Sequence, residues 1–120
     1  MIEELIYRIF ETRNEAHLSH WTTDSYAEHV ALEEFYSAVL GPLDELVENY
    51  QAAFGIIGEI PCEEDEESEE PSVLQCLKDD VKWISKNRSK ISKNISTLEN
   101  IVDNISSIYL RTIYKLENLS

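Results

Sequence analysis

Glycine and proline are scarce, with three of each in 120 residues. A sandwich or barrel needs a turn about every ten residues, so all-β architectures are excluded and an all-α chain is expected. Cysteine is sparse too. Cys62 and Cys76 bracket an acidic run and form no C-x-x-C, so they read as reduced thiols and not as a disulfide framework or zinc clip. Long apolar runs are also missing, and the start, MIEELIYRIFETR, is amphipathic with acids near its beginning. Neither a signal peptide nor a membrane span is expected, which places the chain in the cytoplasm. Basic charge is the last deficit: 10 Lys+Arg face 24 Asp+Glu, for a net charge of -14. Phosphate repels such a chain, so general nucleic-acid binding is not expected.

What is present suffices for a core, because 42% of the residues are hydrophobic and a chain of this length buries roughly two-thirds of its unfolded surface. One domain over residues 1–120 is expected. Its charge is unevenly distributed. Glu63, Glu64, Asp65, Glu66, Glu67, Glu69 and Glu70 lie between Pro61 and Pro71 with no apolar residue among them. They predict a solvated acidic loop over about 59–71. Half of the basic residues then fall in Lys82–Lys93, where no acid interrupts them. This stretch reads as a solvated face partly neutralising the acidic loop, or more sharply as a local anion or nucleic-acid patch.

Four helical segments surround the loop. The first runs from about Ile2 to Ser19, with Ile2, Leu5, Ile6, Ile9 and Phe10 recurring at three and four residues as its core face. The second starts after Ser25, which forms a capping box with Glu28, and continues to about Phe54 before Gly55. Gly41-Pro42 falls inside it, where a proline removes one hydrogen bond and predicts a kink or restart. The third begins near Pro71-Ser72 and carries Val73, Leu77, Val81 and Ile84 inward to about Asn87. The fourth opens on a Ser96/Glu99 capping box and ends near Asn118, with Ile101, Ile105, Ile108, Tyr109, Ile113 and Leu116 as its apolar stripe. Trp21, Tyr26, Phe35, Tyr36 and Trp83 read as core or interface packing. Four helices with one long connection between the second and third describe a bundle with a crossover.

The candidate chemistry sits early. All three histidines, His17, His20 and His29, lie within thirteen residues, followed by Glu33, Asp44 and Glu48. On a helix at 100° per residue, His29, Glu33, Asp44 and Glu48 fall within about 100° of one another, on one stripe. Glu33 and Asp44 are nevertheless about 16 Å apart along the axis, so one chain cannot bring both pairs to a single ion. Two copies packed antiparallel about a two-fold axis near Ala38 can, giving two equivalent sites per dimer. Such a set of imidazoles and carboxylates suits Fe(II) and admits Zn or Mn.

His20-Trp21 followed by His29-x3-Glu33-x10-Asp44-x3-Glu48 resembles the ferroxidase signature of the Dps proteins, the miniferritins of the ferritin-like superfamily. The resemblance covers about residues 10–50. It implies a ferritin-like four-helix bundle whose iron site lies between two-fold-related subunits. His20, His29 and Glu33 would come from one chain and Asp44 and Glu48 from the other; apart from the resemblance, His17, one turn before His20, is a candidate additional or substitute ligand. In that family twelve subunits form a cage; here the acidic loop replaces a small helix, so a dimer is the expected assembly. The AHLSHWTTDSYAEH segment also looks like a family of short phage-encoded ferritin-like proteins of unassigned role, which would place the protein in a host cytoplasm.

Two functions are therefore expected as rivals. One is a Dps-like iron-binding protein with ferroxidase activity. The other is a non-catalytic, cofactor-free acidic bundle that binds a host protein through Glu63, Glu64, Asp65, Glu66, Glu67, Glu69 and Glu70.

Overall fold

A computed structural model describes residues 1–62 and 72–119. Five helices occupy them: α1 (Ile2–Thr22), α2 (Tyr26–Ala38), α3 (Leu40–Phe54), α4 (Val73–Ser92) and α5 (Ser96–Glu117). The described residues contain no strand, and none of their helices is long and apolar enough to cross a membrane. The acids Glu63–Glu70 lie outside the described residues.

Each helix buries the stripe its sequence provides. On α1, Ile2, Leu5, Ile9, Thr12, Ala16 and His20 recur at three and four residues and are all buried. Phe10, expected on that face, is instead 44% exposed, at the edge of the stripe beyond Ile6. The stripe of α4 extends beyond Asn87 to Ile91, whose side chain is fully buried, so the helix ends at Ser92 and not at the expected boundary. Its start is as expected, with Ser72 Oγ accepting from the Gln75 backbone N–H. Ser25 caps α2 in the same way through Glu28 N–H. The second expected capping box does not form: Ser96 lies inside α5, and Ile95 is the N-cap. A tight turn with Lys93 and Asn94 in the left-handed region closes on Ser92 and delivers Ile95 already extended, so α5 begins one residue early.

The expected single second helix is two. Pro42 has no N–H to give the Ala38 carbonyl, and the regular ladder breaks at Val39 between α2 and α3. Both still pack on α5 and fill one column of a four-column bundle. Side-chain pairs fix the directions. His20 meets His29 across the short α1–α2 turn, so those helices are antiparallel. Thr12 pairs with Asp80, and Arg8 lies over Trp83 at 4.8 Å, so α4 is also antiparallel to α1. Arg88 reaches both carboxylate oxygens of Asp103 at 2.7 and 2.8 Å and Glu99 at 2.6 Å, which makes α5 antiparallel to α4. That guanidinium, central in the basic stretch, is thereby committed to carboxylates of its own bundle. Lys93 closes the same end by standing 4.1 Å from the Phe54 ring of α3.

The bundle centre holds one acid. Asp80 is 5% exposed and sits on the apolar stripe of α4 between Leu77 and Ile84. Its Oδ2 accepts from the hydroxyls of Thr12 and, at 2.8 Å, of Tyr109, while Arg8 Nη1 approaches Oδ1 at 3.4 Å. Burial raises the Asp80 carboxyl above its ordinary range, opposed by the hydroxyls of Thr12 and Tyr109 and by the Arg8 charge. Burial and the neighbouring Asp80 push the Tyr109 phenol well up.

After α3 the chain is tied back to the start of α1. Gly58 N–H donates to Glu3 Oε1 at 2.9 Å, and the terminal ammonium donates to Glu3 Oε2 at 3.1 Å. The Gly58 amide, first among these contacts, holds the Glu3 carboxyl down at about 2, against an ordinary 4.5. A depressed carboxyl stabilises the fold fully above pH 4.5 and loses that contribution as pH falls toward 2. Glu3→Gln is therefore expected to speed exchange of the Gly58 amide at pH 6. The difference between variant and parent should close near pH 2, as read by NMR hydrogen exchange.

Candidate metal centre

Two of the three histidines converge because the turn between α1 and α2 is only three residues long. His20 lies on the buried stripe of α1, so its ring turns inward, and His29 lies one turn into α2 directly across from it. The rings stack with centroids 3.6 Å apart and planes 19° apart. Their hydrogen bonds are reciprocal: His20 Nδ1 donates to the His29 carbonyl and His29 Nδ1 to the His20 carbonyl, each at 2.7 Å. A carbonyl can only accept, so both Nδ1 atoms carry the proton. When the rings are neutral, Nε2 is then the atom that offers a lone pair.

Glu33 stands one turn after His29 and completes the group. One ligand atom from each of His20, His29 and Glu33 lies within 4.8 Å of the others, in a gradation from buried His20 through half-buried His29 to exposed Glu33. Two imidazole nitrogens and a carboxylate can hold a divalent cation from one side and leave positions open to solvent. Backbone carbonyls behind metal-binding histidines are the usual second-shell device, since they fix the tautomer and the ring orientation.

The other sequence candidates are elsewhere. His17 lies between Tyr36 and Trp21, with ring centroids at 4.1 and 4.4 Å, and its centroid is 6.3 Å from that of His20. It packs beside the cluster without joining it. Asp44 and Glu48 are exposed on α3, beyond the break at Val39, and are outside the three-residue group. Of the aromatics, Phe35 is fully buried against Tyr109, while Trp21 and Tyr26 are 65% and 81% exposed at the rim of the histidine pair. The latter two are not core residues.

Sequence reading missed the Asp80 network, although one signal for it was present: an acid in the middle of an apolar i, i+3, i+4 stripe must be buried with partners. Tyr36, expected as packing, does pack against the core, but its ring also meets His17 face to face and His20 edge-on, contacts that spacing alone does not indicate.

A family model described as "Family of unknown function (DUF5856)" matches residues 20–116. The chain belongs to the DUF5856 family. The match begins at His20 and so includes both stacked histidines and Glu33, together with α2–α5. No curated protein and no solved structure matches the chain.

Proposed function

We propose that this DUF5856 protein is a Dps-like, ferritin-like iron-binding protein that oxidises ferrous iron at sites shared between two copies of the chain in the cytoplasm. The observation that carries the reading is the pair of Nδ1–H···O=C bonds between His20 and His29, together with one ligand atom of each ring and of Glu33 lying within 4.8 Å of one another. Two histidines and one carboxylate with open positions are the donor set suited to Fe(II) chemistry with dioxygen or peroxide; the same set admits Zn and Mn. The parallel course of α2–α3 and α4 supports a ferritin-like crossover as well.

Ferrous iron is the substrate in this account. His20 and His29 hold it through neutral nitrogens, Glu33 offsets its charge, and the -14 net charge attracts cations to the surface. Asp44 and Glu48 of a two-fold-related copy supply the remaining carboxylates. Peroxide takes two electrons from two ferrous ions and leaves as water once two protons are added.

A mixing experiment tests the shared site. Glu33→Ala and Asp44→Ala should each abolish iron oxidation alone. Unfolded and refolded together, they should regain about a quarter of the parental activity, because half the dimers are mixed and each of those carries one intact site. Full activity in either single variant contradicts the reading. Absence of iron binding in the parent would favour the rival, a cofactor-free bundle whose seven-acid run engages a basic host protein.

A further inference from the structure

Cys76 and Pro61, the residue before Cys62, line one groove. Between α1 and α4 runs a cleft of about 460 Å³ lined by Glu4, Arg8, Glu11, Cys76, Asp80 and Pro61, among others. Cys76 is half-buried in its wall, and Pro61 reaches it from the segment that the Gly58–Glu3 bond holds against α1. Cys62, exposed, is the next residue, about 3.8 Å further along the chain. A disulfide requires Cα atoms about 4.4–6.8 Å apart, so Cys62 must swing in toward the groove that its preceding proline lines together with Cys76.

We propose that Cys62 and Cys76 form a peroxide-responsive disulfide that ties the seven-acid run to α4. The exposed Cys62 thiolate attacks hydrogen peroxide, cleaving the O–O bond to give a sulfenic acid and hydroxide. The Cys76 sulfur then displaces the sulfenic hydroxyl, which takes the Cys76 proton and leaves as water, while the proton that Cys62 lost on ionising neutralises the hydroxide. In total, two thiols are oxidised to one disulfide and one peroxide is reduced to two waters. The groove selects the oxidant by charge. Glu4, Glu11, Asp79 and Asp80 line it against the single guanidinium of Arg8, which repels an anionic oxidant such as glutathione disulfide but not neutral peroxide. The product closes a loop over the thirteen residues between the cysteines, including all seven acids. The inference is independent of the metal reading, since neither cysteine belongs to the histidine cluster.

The test uses the full, reduced chain treated with a small excess of hydrogen peroxide, followed by intact mass measurement and alkylation without reductant. The expected product is a monomer about 2 Da lighter with no alkylatable thiol, and proteolysis should give one peptide pair joined through Cys62 and Cys76. Cys62→Ser and Cys76→Ser should each prevent it, leaving singly oxidised chains. Glutathione disulfide at the same concentration should act at least about tenfold more slowly. Independent gain of oxygen on each cysteine, or disulfide-linked dimers without the lighter monomer, would overturn the proposal.

Discussion

Asp80→Ala is expected to destabilise the protein by about 2–4 kcal/mol, since two hydroxyl donors at about 1–3 kcal/mol each lose their acceptor, partly offset by removal of a buried carboxylate. Those donors, on Thr12 and Tyr109, are both buried. Asp80→Asn keeps one oxygen for both hydroxyls, so it should be clearly milder. The pair also isolates a pH effect. Burial raises the Asp80 carboxyl in the folded state above its ordinary 3.8, so the native protein binds that proton more tightly than the unfolded chain. Its contribution is most favourable below pH 3.8 and declines as pH rises through the folded value. Measured by urea denaturation, the parent should therefore lose stability relative to Asp80→Asn between pH 4 and pH 7. A parent that gains on the variant over that interval would show that the hydroxyls and Arg8 outweigh burial.

His29→Ala should weaken ferrous-ion binding by at least about 100-fold. Losing a mere second-shell partner typically weakens binding about 10–100-fold, and His29 is both a proposed ligand and, through its carbonyl, the second-shell partner of His20. The backbone carbonyl survives the substitution, so the loss reports the ring itself. His17→Ala supplies the comparison. It removes a ring packed on Tyr36 and Trp21 but outside the cluster, and should leave the affinity almost unchanged. Isothermal titration under anaerobic conditions, with helicity checked by circular dichroism, separates the two. Equal losses in both variants would mean that the aromatic packing, and not ligation, governs binding.

Much of this arrangement is legible in the residues. The apolar stripes of α1, α4 and α5 place their large aliphatic core residues, but not the buried Thr12, Ala16, His20, Asn87 and Thr112 that continue the same faces, and Pro42 announces the break after Ala38. The three-residue turn after Thr22 makes α1 and α2 antiparallel neighbours, so the proximity of His20 and His29 follows from spacing. What periodicity cannot supply is orientation. The reciprocal carbonyl bonds depend on both rings turning inward by the same amount, and the exposure of Trp21, Tyr26 and Phe10 depends on where neighbouring helices end. Local rules also failed at Ser96. Its capping pattern was sound, but the left-handed pair Lys93–Asn94 had already fixed the entry of the chain at Ile95. Asp80 was hidden for the opposite reason, since its partners Thr12 and Tyr109 come from helices 68 and 29 residues away.

Anaerobic titration of ferrous iron into the purified protein, with molar mass recorded by light scattering in the same buffer, tests metal binding at the His20–His29–Glu33 cluster most directly. The expected result is saturation at about one to two ions per chain on a dimer or larger assembly, with rapid oxidation once peroxide is admitted. A well-folded protein that takes up no ferrous iron would contradict it.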